Sequence, residues 1–208
     1  MSLFRKLFGK KSNESEEQIP NQERGKYMPE IKLPADERFT INFKANGGKF
    51  LYCENMAEVK ESFNAILGEN QWHNDKVFVI DERLLDLFKD FKLNSTTKIS
   101  ESKYFLSTCE YLISDDGSLL ISSNQIAEKK LKELPEHFII YATTSQFAEN
   151  IGEGLKGIKA KSKSKIPTNI TTIKHFKTAD DKDFLTYGSS AKNLYLLILE
   201  DLSRKNLS

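Results

Sequence analysis

Asp115-Asp116-Gly117-Ser118 gathers two carboxylates, a glycine and a hydroxyl in four consecutive positions. Backbone N–H groups and short polar side chains in such a stretch can face a ligand. Adjacent acids are poor partners for work on one bond, because neighbours on extended backbone point to opposite faces. One acid turned to a pocket, with the other closing a turn, fits the spacing better. Thr143-Thr144-Ser145 follows an apolar run, at the kind of strand end where open α/β sheets place ligands. There, free N–H donors would take an anion, or Thr144 or Ser145 would simply cap the next helix. Lys156, Lys159, Lys161, Lys163 and Lys165 form the densest cationic stretch, read as a solvated loop or as the charge for an anionic ligand or partner. His73, His137 and His175 are dispersed, and neither a G-x-G-x-x-G nor a Walker-type loop is present.

The elements that must hold these residues follow from periodicity. Cys109 to Gln125 reads strand, turn, strand, since Asp-Gly between apolar runs is a strong hairpin signal. Asp36 to Asn46 reads as a helix with Phe39 and Phe43 on one face, ended by Gly47-Gly48. Lys49 to Cys53 is a first strand, Met56 to Leu67 a helix behind the N-cap Asn55, and Lys76 to Ile80 a doubly buried strand. Asp81 to Phe91 follows as a helix, and Ala127 to Glu133 as a short helix or turn. His137 to Ala142 is a strand and Phe147 to Leu155 a helix, followed by a Lys-rich loop from Gly157 to Thr168. Tyr187-Gly188-Ser189-Ser190 turns the chain into a last strand, Leu194 to Leu199. Alternating strands and helices predict an α/β fold around a mostly parallel sheet, with a β-hairpin inserted in the middle.

Residues 1–34 read as a flexible arm, 35–202 as one domain and 203–208 as a tail. The arm opens with a basic amphipathic stretch, Met1 to Lys11, too short to hold a membrane alone. With 38% hydrophobic and 29% charged residues and a net charge of +1, the 208-residue chain carries no global attraction for nucleic acid. No run has the length of a membrane span, and no secretory leader is evident, so the expected compartment is the cytoplasm. Cys53 and Cys109 each sit beside an apolar run and read as buried thiols rather than a disulfide. No spacing suggests zinc or an iron–sulfur cluster, and no cofactor is expected on this chain.

The hairpin segment Cys-x-Tyr-x-Ile-Ser-Asp-Asp-Gly-Ser-Leu-Leu-Ile resembles the Ala-Glu-Thr-Gly-Thr signature of the LUD-domain family, which includes lactate-utilisation protein C. Asp115 stands at the family's Glu, Asp116 at its first Thr, Gly117 at its Gly and Ser118 at its second Thr. The likeness extends from about Glu37 to Glu200, through the Gly-Gly turn, LPEHFIIYATTSQF and YGSSAKNLYLLILED. One segment departs: where the family has Pro-Ser-x-Thr-x-Asp-Ile-Glu, Thr172 and Lys174 replace both acids.

The resemblance implies a three-layered fold like that of NagB, ribose-5-phosphate isomerase and the CoA transferases. It also implies a role as accessory or subunit of a system oxidising lactate or a similar 2-hydroxy acid. Iron–sulfur or flavin-containing partners would then carry the electrons. The alternative is an isomerase- or acyl/CoA-transferase-like enzyme for a small anionic substrate, which rests on fold analogy. The expected ligand site is one cleft lined by Asp115, Asp116, Gly117, Ser118, Thr144, Ser145 and Gly188. Asp115 would need a hydroxyl or amine on the ligand, which suits a hydroxy acid.

Overall fold

The computed structural model describes residues 33–162, 165–176 and 192–201. The arm up to residue 32, Lys163, the turn at Tyr187–Ser190 with Gly188, and the tail lie outside the described residues.

Six strands form one parallel sheet: β1 (Lys49–Cys53), β2 (Lys76–Val79), β3 (Asn94–Thr96), β4 (Tyr104–Thr108), β7 (His137–Thr143) and β10 (Asn193–Leu199). Their order is β1-β10-β7-β4-β2-β3. Alternation along the inner strands sends side chains to two separate cores. Phe78, Phe105, Phe138, Ile140, Leu194, Leu196 and Ile198 face one way, while Val77, Tyr104, Leu106, Ile139, Tyr195 and Leu197 face the other. Both faces are apolar because both are covered, as a parallel sheet requires.

Helix α2 (Met56–Glu69) and the short α3 (Arg83–Leu87) cover the second face, with Val59, Phe63, Ile66, Leu67 and Leu84 buried. The Asn55 side chain caps α2, accepting from the Glu58 N–H at 3.1 Å. Trp72 stacks on Tyr104 with ring centroids 5.1 Å apart, and the His137 ring tilts against the same indole. His137 is thus a packed residue.

The other face carries α1 (Ala35–Ala45) and a second sheet. That sheet contains β5 (Tyr111–Ile113), β6 (Ser118–Ile121), β8 (Phe147–Ala148) and β9 (Thr171–Ile173), in the order β8-β5-β6-β9. The inserted hairpin is therefore the centre of a four-stranded layer. Leu112 and Leu119, register partners, face the main sheet. Tyr111, Ile113 and Leu120 face outward, where α5 (Ile151–Lys161) covers them. The result is an α/β fold with helices flanking a mostly parallel six-stranded sheet, and the small sheet shares one flanking layer with α1.

Four local expectations are corrected. The hairpin turn has four residues, 114–117, since Ile113 pairs with Ser118 and the Gly117 N–H reaches Ile113 O at 2.9 Å. The predicted helix 81–91 breaks after Leu87 into a 3₁₀ turn, Lys89–Phe91, ended by Lys92 at φ +47°. In place of a helix from Phe147, the short strand β8 pairs with β5. The Lys-rich stretch is helical as far as Lys161, so Lys156, Lys159 and Lys161 lie on α5. Glycines at 152, 154 and 157 speak against a helix by propensity, but tertiary packing overrides them. A Cβ on Gly157 would sit 2.0 Å from the Tyr111 hydroxyl and one on Gly154 2.9 Å from Leu120, so the helix approaches the hairpin because those two side chains are missing.

Gly117 shows the same logic with backbone on both sides. Its φ is +68°, and a Cβ there would lie 2.4 Å from Asn42 C and Phe43 N of α1. Gly117→Val therefore combines a strained conformation with a clash that no side-chain rotation relieves. The expected loss is about 2 kcal/mol or more, or roughly 4–8 °C in melting temperature for a domain this size. An unchanged thermal midpoint would sink the assignment of this turn as the seat of the hairpin.

Candidate functional site

The Asp-Asp-Gly-Ser turn is bound up with α1. Arg38, its side chain 15% exposed, donates to Asp115 Oδ1 at 2.6 Å and also to Glu149. Asn42 Nδ2 donates to the Ser114 and Asp115 carbonyls, and Asn46 Nδ2 to the Asp116 carbonyl at 2.7 Å. Asp116 accepts from both the N–H and the hydroxyl of Ser118, at 3.0 and 2.6 Å. Ser118 is fully buried, so its hydroxyl serves the turn. Lys174 approaches Asp116 Oδ2 at 3.5 Å. Both residues depart from the pattern that the sequence resembles, and the structure brings the two departures into contact as an ion pair.

Thr144 and Ser145 lie after β7, as expected, but an internal carboxylate holds their donors. Asp201, just beyond β10, accepts from the Thr144 hydroxyl at 2.9 Å, the Ser145 N–H at 2.8 Å and the Ser145 hydroxyl at 2.6 Å. Burial pushes the Asp201 carboxyl up, but the hydrogen bonds from Ser145 and Thr144 outweigh it and hold the group below its usual range. Beside it, Glu200 accepts from Tyr52 of β1 and from Thr144. The donors expected to take an anionic ligand are thus filled by the protein's own acid.

An open cleft of about 820 Å³ lies along the same edge of the sheet, lined by different residues. Ile80, Asp81, Glu82 and Arg83 enter it from the end of β2, Thr108, Cys109 and Glu110 from the end of β4, and Tyr141 from β7. Asn124, Gln125, Gln146 and Lys161 complete the wall. None of the six expected site residues that lie among the described residues lines it. Its position has a topological cause. After β2 the chain passes through α3 on one face to β3, and after β4 it passes into the hairpin on the opposite face. The two connections diverge and leave a crevice at the carboxyl ends of adjacent parallel strands, where open α/β sheets bind ligands.

The polar groups of the cleft are fixed by the hairpin's base. Ser122 caps the short helix α4 (Ser123–Ile126), its Oγ accepting from Asn124 N–H, while Gln125 Oε1 accepts the Ser122 N–H at 2.9 Å. Glu110 Oε1 accepts from the Ser122 hydroxyl at 2.6 Å and from Asn124 Nδ2 at 2.8 Å. Gln146 is spent on backbone, taking the Thr143 N–H and donating to the Cys109 carbonyl at 2.5 Å. Arg83 is tied to Asp81 through Nε and Nη2, at 2.8 and 2.7 Å. That pairing, chiefly the hydrogen bond, lowers the Asp81 pKa. Lys161 reaches in across Tyr111, its Nζ 4.5 Å from the ring centroid.

Cys109, buried in the cleft wall, is not primed as a nucleophile. Burial drives its thiol far above the usual value, Glu110 adds to the rise and Lys161 opposes it. Cys53 is also a free, buried thiol. Among the described residues no three His, Cys, Asp or Glu side chains cluster as metal ligands, and no helix is long and apolar enough to cross a membrane. The sequence carried one signal for this cleft that the reading passed over. Glu110 is an acid immediately before a buried apolar strand, and such a group must find donors or water.

The LUD domain family model matches residues 37–199. The structure is similar to the crystal structure of a DUF162 family protein from Deinococcus radiodurans, with a TM-score of 0.56 at 15% identity. That match covers 82% of this chain and 100% of the other. No curated protein matches the chain.

The Asp201 lock has a definite pH signature. Its folded-state pKa is depressed, so its contribution is present above the unfolded value of about 3.9 and is lost as pH falls through the lower folded value. Asp201→Asn should melt about 3 °C or more below wild type at pH 7. That gap should narrow as the pH falls below the unfolded value of about 3.9 toward the depressed folded value. A gap that stays constant from pH 7 to 3 would show that the carboxylate's charge contributes nothing.

Proposed function

The chain belongs to the LUD-domain family, and on that premise we propose that it serves a system oxidising lactate or a related 2-hydroxy acid. It acts there as a ligand-binding accessory or subunit, while iron–sulfur or flavin-containing partner proteins carry the electrons. The observation that supports this reading is the polar cleft at the ends of β2, β4 and β7. Its lining mixes the acids Asp81, Glu82 and Glu110 with the cations Arg83 and Lys161 and three amide side chains, groups able to hold a small acid that also bears a hydroxyl. At about 820 Å³ it exceeds what a three-carbon acid fills, leaving space for a group brought by a partner.

A second reading, an isomerase- or acyl/CoA-transferase-like enzyme, draws support from Glu110, a carboxylate set in the cleft by two donors. Such a group can act as a base or a nucleophile.

The two readings part on turnover. The purified full chain should turn over neither ribose 5-phosphate nor acetyl-CoA. Mixed with a flavin- or iron–sulfur-containing lactate-oxidising protein from the same genome neighbourhood, it should co-elute on gel filtration and raise lactate-dependent dye reduction above that of the partner alone. L-lactate should shift the NMR amide signals of Cys109, Glu110 and Asn124. Turnover by the isolated chain, with no complex formed, would establish the second reading and remove the first.

A further inference from the structure

Helix α4 has the cleft against Asn124 and Gln125, and a second pocket of about 310 Å³ against Ile126. Lys129, Lys130 and Lys132 line that pocket, and no acid among the described residues does. We infer that it is a binding site for a phosphate group, carried as the free anion or as a small phosphomonoester.

These lysines lack acid partners. Elsewhere in the domain Lys60 reaches Asp90, Lys76 and Lys98 reach Glu101, and Lys174 reaches Asp116. Lys129, Lys130 and Lys132 form no ion pair with a described residue. The Lys129 ammonium stands 5.9 Å from the centre of the Phe78 ring, a contact that leaves its charge uncompensated. The acids nearest in sequence are turned to other partners and stay out of the lining. Glu128 Oε1 accepts from the Thr168 hydroxyl at 2.8 Å, and Glu133 Oε2 accepts the Lys130 N–H at 3.0 Å. Three like charges share one concavity, and an anion entering it relieves their repulsion.

The loop that carries them is held in an unfavourable shape. Ala127 has φ +51° and ψ −135°, in a turn closed by the Lys129 N–H on the Ile126 carbonyl at 3.1 Å. That conformation favours glycine. Asn169, itself at φ +50°, donates from Nδ2 to the carbonyls of Ala127 and Lys129, both at 2.9 Å. Ser123 and Thr168 join the same two segments. The Ser123 N–H reaches the Thr168 carbonyl at 2.8 Å, and the Thr168 N–H reaches the Ser123 hydroxyl at 3.0 Å. A turn pinned in this way fixes the backbone beneath the lysines, and strain of this kind concentrates where ligands are held.

Size and charge select the ligand. The volume is at the small end for ligand sites, so the pocket takes one compact group rather than a helix or a nucleic-acid strand. Ammonium groups bind phosphate as point charges, and a phosphoryl dianion answers several lysines better than a carboxylate does. Thr171 of β9, whose hydroxyl is spent on no described residue, adds a neutral donor. Ile126 and Leu131 give an apolar wall for the carbon portion of an ester.

NMR titration of the full chain with inorganic phosphate, glycerol 3-phosphate and acetate, at matched ionic strength, tests this. Both phosphates should shift the amides of Lys130, Leu131, Lys132 and Thr171 and saturate, about tenfold or more tighter than acetate. Tighter binding of glycerol 3-phosphate assigns the site to an ester, and equal or weaker binding assigns it to the free anion. Lys130→Gln with Lys132→Gln, both on exposed side chains, should weaken phosphate about tenfold and move the melting temperature by less than about 2 °C. Lys156→Gln with Lys159→Gln on α5 removes the same charge elsewhere and should change the affinity by less than about twofold. Acetate binding as tightly as phosphate overturns the inference, because the lysines would then be a general cationic surface. An equal loss in the two double variants overturns it as well. The wild-type comparison decides even where a variant is unstable. The pocket is separate from the cleft, so this inference and the proposed function fail independently.

Discussion

The close approach of the hairpin turn to helix α1 is the contact on which the rest of the arrangement depends. Backbone meets backbone at Gly117, with no room for even a methyl group between the turn and Asn42-Phe43. Two asparagine side chains one helical turn apart, Asn42 and Asn46, then satisfy three carbonyls of the turn. Of these only the Ser114 carbonyl belongs to a buried residue, where a missing partner would cost about 1–3 kcal/mol. Phe39 and Phe43, stacked with centroids 5.1 Å apart, extend from the same helix into the core shared by both sheets. Seating the turn therefore seats the whole small sheet, and its other end, at Cys109–Glu110 and Ser122–Gln125, becomes one wall of the cleft.

Much of this was legible in the sequence because local pattern and tertiary burial agree. The apolar runs of β1, β2, β7 and β10, the Phe39/Phe43 face of α1, and Asn55 as a cap all read correctly from periodicity and capping rules. Strand β4 did not, although Tyr104-Phe105-Leu106 is a wholly buried apolar run. Its flanks are Lys and Ser rather than the Gly47-Gly48 before β1 or the Pro135 before β7, so nothing marked its boundaries. The second half of helix α5, past Leu155, was hidden for the opposite reason. Its glycines and alternating lysines signal a loop, and only the presence of Tyr111 and Leu120 beneath them explains why a helix forms.

The candidate site was less legible than the fold, and the cause is geometric. The resembled motif is a contiguous stretch, and contiguity drew attention to residues 115–118. The cleft is assembled from residues 80–83, 108–110, 124–125, 141, 146 and 161, which only the strand order brings together. No local pattern specifies that order. The contact between Asp116 and Lys174 makes the same point from the other side. Seen separately, each is an unexplained departure from the family's pattern. Once β6 and β9 pair, they are an acid and a base within reach of each other at the hairpin's far end. A partly exposed pair of this kind contributes little to stability, so its main consequence is that Asp116 is not left as a lone anion.

The carboxyl edge of the parallel sheet thus presents two candidate ligand positions, and electrostatics separates them. At the ends of β7 and β10, hydroxyl and N–H donors converge as they would on a bound anion. Asp201 occupies that focus with Glu200 beside it, so a second anion would meet two carboxylates with their donors already spent. At the ends of β2 and β4 the lining is mixed, with Arg83 and Lys161 set among Asp81, Glu82 and Glu110. The protein's own pairings there stop short of completion, leaving an oxygen of Glu110, the nitrogen of Gln125 and the ammonium of Lys161 for something else. Buried or half-buried polar groups are costly unless they find partners. The crevice created by diverging connections is thus also the place where the protein leaves its polar groups to water or to a ligand.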